Sequence, residues 1–304
     1  MIDLTENQEI AWRNFRPGQW QTKIDVREFI QKNYLSYTGD SSFLAGATER
    51  TKKLWAKMGP LLAEEVKKGV LDVSQIPSTV SAHGAGYIDK DLELIVGLQT
   101  DAPLKRAIMP KGGWKTVETS LKSYGFEPDK KIAEIFTQYA KTHNDGVFDA
   151  YTEQIRKCRR SGIITGLPDA YGRGRIIGDY RRLPLYGLDF LIADKKREKA
   201  EIDTRWSTED ILRLREELAT QIRSLQEIKT MAANYGYDVS QPATNARQAV
   251  QWLYFAFLAA IKEQNGAAMS VGRISTFLDI YLQRDLDEGI ITEIQAQELI
   301  DDIV

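Results

Sequence analysis

The feature that most constrains this chain is the run Ala249 to Ile261, in which Gln251 is the only clearly polar residue. The periodicity predicts a helix over about 245–264 that is apolar on every face, and such a helix has to be buried all round. A helix dry on all sides calls for a large, layered protein rather than a small bundle. At 304 residues the chain is long enough to supply such a core. The stretch from Trp252 to Ile261 is well short of the roughly 20 apolar residues a membrane-spanning helix needs.

The surrounding sequence reads mostly as helix. Charge and apolar residues alternate at helical spacing over Asp25–Tyr34, Glu49–Lys68 and Lys130–Lys141. The pair Gly59-Pro60 is expected to interrupt the second of these. Ser207-Thr-Glu-Asp210 has the spacing of a capping box. Ile211, Leu214, Leu218, Ile222, Leu225 and Ala232 then form one apolar stripe, closed by Asn234 and Gly236. Small residues crowd Gly266–Arg273, as where backbones approach closely, and turn-rich pieces lie at Ser81–Gly86 and Pro110–Gly113. A second capping box, Thr292 to Gln295, opens a last helix that runs into Asp301-Asp302-Ile303-Val304. With no cap and two acids at its C-terminus, that helix is expected to belong to a fragment cut at its C-terminal end. No separate linker is recognised, so residues 1–304 are read as part of a single domain.

Composition excludes several function classes. Lys plus Arg number 41 against 43 for Asp plus Glu, which argues against a general nucleic-acid or membrane-surface binder. Cys158 is the only cysteine, so an intrachain disulfide scaffold is excluded. No basic region followed by an apolar run marks the N-terminus as a signal peptide, and a cytoplasmic protein is expected. His83, His143 and Cys158 lack ligand spacing, so no metal site is expected. Neither a Gly-x-Ser-x-Gly elbow nor a phosphate-binding Walker loop occurs. Gly172-Arg-Gly-Arg-Ile-Ile177 starts like a dinucleotide fingerprint but has Ile in place of the last Gly. Carboxylate pairs such as Glu216-Glu217 and Asp301-Asp302 fit solvated helix faces. Cys158 lies in the basic run Ile155–Arg160, which would lower a thiol pKa if the charges lie close; a helix face with basic stems is the preferred reading.

The best candidate site is Tyr171 to Arg175. In an extended segment Arg173 and Arg175 point to one side, with glycines leaving backbone room. A guanidinium there presents a rigid fork that matches a carboxylate bidentately. The residues leave a second reading open, in which Arg173, Arg175, Arg181 and Arg182 pair internally with Asp169, Asp179 and Asp189.

Ordered segments along nearly the whole chain resemble the pyruvate formate-lyase family. They include Val26–Tyr34, Ser42–Thr48, Ile95–Thr100, Ala102–Ala107, Lys141–Asp149, Thr165–Arg182, Met231–Tyr237 and Gln264–Ser270. The resemblance implies the N-terminal portion of a glycyl radical enzyme: an α/β fold with predominant helix, here about one half-barrel of a ten-stranded β/α barrel. It implies an acyltransferase reaction of anaerobic fermentation, in which pyruvate and coenzyme A become acetyl-coenzyme A and formate. It also implies a homodimer and a radical-SAM activating enzyme as partner. By the same resemblance, Arg175 matches the arginine that holds the pyruvate carboxylate, with a second arginine of that clamp beyond this chain. Asn144, Phe148, Tyr171 and Arg160 match positions of the coenzyme A site, Arg160 standing where the family has lysine. The catalytic cysteine pair and the radical-bearing glycine loop are absent, so the chain is expected to be inactive alone. An alternative is a non-catalytic binding or scaffold half-protein that docks a complementary chain.

Overall fold

The computed structural model describes residues 24–40, 46–68, 80, 84–98, 121–131, 133–134, 151–164, 178–203, 205, 208–263 and 270–304. The frame of the described residues includes the helices α1 (Val26–Asn33), α2 (Glu49–Lys68), α3 (Glu153–Arg160), α4 (Arg182–Glu201), α5 (Glu209–Asn234), α6 (Ala246–Glu263), α7 (Ser275–Asp287) and α8 (Glu293–Asp301). Among the described residues there is no strand beyond a single bridge residue at Ser270.

Helix α6 is the buried axis that the apolar run demands, contacting α4, α5, α7 and α8. Val250, Leu253 and Phe255 are almost inaccessible, as are Phe277, Ile280 and Tyr281 on α7. The one polar residue of the run is accounted for. Gln251 accepts a hydrogen bond from the Val96 N–H (2.7 Å) and donates to the Val96 carbonyl (3.0 Å). Its amide thus stands in for a neighbouring peptide group and lets the 94–97 loop run beside the helix without orphaned backbone groups. Asp285 of α7 does the same at the start of α6, accepting from the Ala246 N–H at 2.6 Å. A carboxylate at that helix N-terminus also opposes the macrodipole.

Helix α4 has a glycine in mid-course that no other residue could replace without strain. Gly187 has φ 70° and ψ 164°, a region essentially reserved for glycine. The break lets the 238–243 segment pair with α4 through backbone bonds. Leu188 N–H donates to Val239 O (2.9 Å), Asp189 N–H to Ser240 O (3.1 Å), and Ala243 N–H to Pro184 O (2.8 Å).

Several sequence expectations are corrected. Pro60 lies inside α2, which continues to Lys68. Ala56, whose carbonyl lacks a donor because Pro60 has no N–H, is exposed, so that carbonyl can be met by water. The N-cap of α5 is Thr208, one residue beyond the expected Ser207; its side chain accepts from the Ile211 N–H at 3.3 Å, and Ile211 at the third helical position has no acceptor with which to complete a capping box. The α5 stripe is used along most of its length: Leu218 and Ala232 are buried and Ile222 and Leu225 pack against the core, whereas Leu214 is 45% exposed. The stop at Gly236 stands, with φ 82° and Tyr237 N–H bonded to Ala232 O at 3.0 Å. The Thr292–Gln295 capping box is present. The helix expected over Lys130–Lys141 is helical at 130–131 and 133–134, and its remainder lies outside the described residues. So do residues 81–83, 110–113 and 264–269 of the expected turn and close-packed segments.

The end of α8 departs most from expectation. Asp302 is the C-cap of α8, and its side chain is fully buried rather than solvated. Its carboxylate accepts from the Leu94 N–H (2.7 Å) and the Ile95 N–H (3.1 Å). It also accepts from Arg50 at 2.7 Å. Arg50 donates further to Leu92 O (2.6 Å) and Glu298 O (3.1 Å). Thr51 donates to Asp301 at 2.9 Å, and Thr48 donates to Glu298. Helix α8 is thereby tied to α2 and to the 89–97 loop, elements more than 200 residues away along the chain.

Candidate functional site

Of the predicted site residues, Arg175, Asn144, Phe148 and Tyr171 lie outside the described residues, as do Arg173, His83 and His143. Arg160 is described. It closes α3, a short helix capped by Thr152 with Lys157, Arg159 and Arg160 in its last turn. Cations at that end complement the exposed carbonyls of the helix C-terminus. Lys157 is paired with Glu153 at 3.0 Å, and the Arg159 guanidinium lies 5.7 Å from the Tyr151 ring centroid. Arg160 itself is exposed. Cys158 is half-buried on the same helix, which agrees with a helix face carrying basic stems.

The internal-pairing reading of the arginine cluster holds for its two described members. Arg181 reaches Asp179 at 2.7 Å and Arg182 reaches the same carboxylate at 3.5 Å. Asp189 is paired instead with Lys229 at 2.6 Å.

Arg181 also lines an open groove of about 450 Å³ between α1 and the start of α7. Its walls are Arg27, Ile30 and Gln31 from α1, the C-cap Tyr34, Ser36 beyond it, Arg181, and Arg273 with Thr276 at the head of α7. Arg27, Gln31 and Tyr34 fall at i, i+4 and i+7, so helical geometry puts them on one face. The other face of α1 is buried through Val26 and Phe29, the Phe29 ring lying tilted at 6.0 Å from that of Phe277. Tyr186 of α4 donates to Ile24 O at 2.9 Å and fixes the start of α1. The groove was not foreseen from the sequence. The i, i+4, i+7 spacing on α1 was a legible signal, but Arg273 joins it only through the fold.

A second unusual group is Glu93, beside the Asp302 network and only 5% exposed. One of its oxygens accepts from the Asp89 N–H at 2.9 Å, and the other is buried without a hydrogen-bond partner. Burial pushes its carboxyl up to about 7, a bond from the Ile88 backbone opposes this, and the Asp302 carboxylate adds to the rise. Because the ionised form is disfavoured in the native state, the native protein holds a proton that the unfolded chain releases above the ordinary carboxylate pKa of about 4.3. Stability from this group is therefore complete below that value and is lost as pH rises through about 7. Urea unfolding of the chain is expected to show a loss of about 1–2 kcal/mol between pH 5 and pH 8, allowing for solvent screening. Glu93→Gln should flatten that slope; an unchanged slope in the variant would place its origin elsewhere.

Among the described residues no group of three or more His, Cys, Asp or Glu side chains could hold a metal ion. None of the described helices is long and apolar enough to cross a membrane.

Comparison with known proteins places this architecture. The chain is 58% identical to formate acetyltransferase of Haemophilus influenzae, over 100% of this chain and 40% of that protein. It is 56% identical to formate acetyltransferase 1 of Escherichia coli, over 100% of this chain and 41% of that protein. It therefore spans about two fifths of the length of these curated relatives. Among solved structures, one from work on 1,2-propanediol dehydration in Roseburia inulinivorans superposes with a TM-score of 0.57 at 19% identity, covering 87% of this chain and 38% of that one. The B12-independent glycerol dehydratase of Clostridium butyricum superposes at 0.52 and 19% identity, covering 87% and 40%. These two likenesses concern the fold alone. The family profile described as pyruvate formate lyase-like matches residues 15–304, and the chain belongs to that family.

Proposed function

We propose that this chain is the N-terminal part of a formate acetyltransferase, which converts pyruvate and coenzyme A into acetyl-coenzyme A and formate. The observation that carries the reading is identity of 56–58% along the whole chain to two proteins of that name. In this reading the chain supplies about half of a β/α barrel, and the complete enzyme is a cytoplasmic homodimer. The radical chemistry is supplied by a glycyl radical, installed by a radical-SAM activating enzyme, and by an adjacent cysteine pair. Neither that pair nor the glycine loop occurs in these 304 residues. The chain by itself is accordingly inactive, and its own residues bind and orient.

Arg175 holds the pyruvate carboxylate through its fixed fork of donors. Asn144, Phe148 and Tyr171 serve the coenzyme A adenine, where an aromatic face can stack. Arg160 serves a phosphate, and its exposed position at the end of α3 supports that role by leaving the guanidinium accessible. In an enzyme carrying the complete relatives' length, Arg175→Ala is expected to cost about 2–5 kcal/mol of transition-state stabilisation, read as the fall in kcat/KM for pyruvate. Steady-state acetyl-coenzyme A formation under anaerobic conditions measures this. Unchanged pyruvate kinetics would remove Arg175 from the site.

A second reading is a non-catalytic half-protein that docks a complementary chain. An immunoblot of source cells separates the two. A single band far heavier than 34.5 kDa supports the complete enzyme, and a band at that mass supports the half-protein.

A further inference from the structure

The groove between α1 and α7 presents three guanidinium groups, Arg27, Arg181 and Arg273, together with the hydroxyls of Tyr34, Ser36 and Thr276. Among the described residues, Arg181 alone of the three has a carboxylate partner, Asp179 at 2.7 Å. The acid nearest in sequence to Arg27, Glu28, is engaged on Lys32 at 2.5 Å. A chain whose overall charge is only -2 thus gathers three arginines and no acid along the lining of this groove. The groove opens to solvent instead of closing into a cavity, so it suits a protein segment laid along it better than an enclosed small molecule. Arginine forks are well matched to carboxylates and are enriched among the residues that anchor interfaces.

We propose that this groove is the docking site for an acidic segment, carrying at least two Asp or Glu side chains, from the part of the polypeptide that completes the relatives' length. The proposal rests on the reading above that the chain is one part of a longer enzyme, since it spans 40–41% of its two relatives. Arg27 and Arg273 each take one carboxylate of the incoming segment, and Gln31 and the three hydroxyls bond its backbone. Charge complementarity sets the register: an apolar or basic segment would leave the guanidiniums facing like charge or an unpaired apolar wall.

The test fuses residues 1–304 to the remaining part of the Escherichia coli relative and introduces Arg27→Lys or Arg273→Lys, so that a zero-length carbodiimide can join the new amine to a touching carboxylate. Mass spectrometry is expected to find positions 27 and 273 each linked to Asp or Glu residues beyond 304, with the links absent from Arg27→Gln and Arg273→Gln. Links only to carboxylates within residues 1–304 would overturn the docking. So would links between copies in a mixture of light and heavy-nitrogen chains, which would assign the groove to a second copy. Melting of the 304-residue chain with inorganic pyrophosphate is the remaining arm. A stabilisation abolished by Arg27→Gln, with no cross-link beyond 304, would give the groove to a small anion. Acetyl-coenzyme A formation by the same fusion reads the functional proposal separately. Activity without cross-links removes the docking alone, and cross-links without activity remove the enzyme reading alone.

Discussion

Replacing Asp302 by Ala is expected to lower the stability of the chain by about 3–5 kcal/mol, the range for breaking a buried ion pair by removing one partner. Three donors converge on this carboxylate: the backbone N–H groups of Leu94 and Ile95, and the Arg50 guanidinium. Removing it leaves the buried Ile95 amide and the half-buried Leu94 amide unsatisfied, and among the described residues Arg50 retains Glu298 at 3.3 Å as its charge partner. The Arg50 side chain is 17% exposed, so water can relieve that loss only in part. Equilibrium urea unfolding of the two proteins measures the difference. Asp302→Asn separates charge from shape: its one carbonyl oxygen can still serve both amides, which share a single oxygen of Asp302, but its NH2 group then faces Arg50, so its loss should fall between the two. A loss below about 1 kcal/mol for the Ala variant would show that α8 is not held by this network. The outcome should be local at first, with amide exchange accelerating at 92–97 and in α8 before the α6 core is affected.

Gly187→Ala is the second substitution with a large expected effect, about 2–6 kcal/mol, combining backbone strain with overpacking. A Cβ at this position would sit 2.4 Å from the Ser240 carbonyl oxygen and 2.5 Å from the Gln241 carbonyl carbon. Both are backbone atoms of the segment that pairs with α4, so no rotamer change can make room. The φ of 70° and ψ of 164° add strain for any L residue. Relief requires the 238–243 segment to move off the helix, which breaks the bonds from Leu188, Asp189 and Ala243. Gly236→Ala is the matched control. Its φ is 82° but a Cβ there meets nothing within 4 Å, so only the left-handed backbone term of about 1–2 kcal/mol should appear. Thermal unfolding should therefore separate the two variants clearly. Equal melting temperatures would mean that the close approach at Gly187 is not retained in solution.

Local patterns accounted for what depends on neighbours in sequence. The dry helix α6 was legible in Ala249–Ile261 because an all-apolar run has only one favourable environment. The stop at Gly236 and the box at Thr292–Gln295 were legible for a similar reason, since a cap is satisfied by residues a few positions away. Helices α4 and α7 were not anticipated. Leu183, Leu185, Tyr186 and Leu188 of α4 are all buried, so its first turns have no amphipathic period to read, and Gly187 breaks it in the middle. Pro60 misled in the opposite direction, because the cost of a proline falls when its freed carbonyl faces water.

The fate of the acids shows where sequence reasoning stopped. Asp301-Asp302 looks like a solvated pair, and nothing within ten residues hints that Arg50 and the amides of Leu94 and Ile95 await Asp302. The Arg27–Arg181–Arg273 groove is the same kind of feature, assembled from positions up to 246 residues apart. By itself, then, the sequence determined the helical character, the buried axis and, through its ordered motifs, the family. Only the tertiary structure decided which charged groups are buried, which share a carboxylate and which face a common groove. The physical reason is that a helix or cap is decided by contacts a turn apart, whereas the environment of a charge depends on residues brought together from anywhere along the chain.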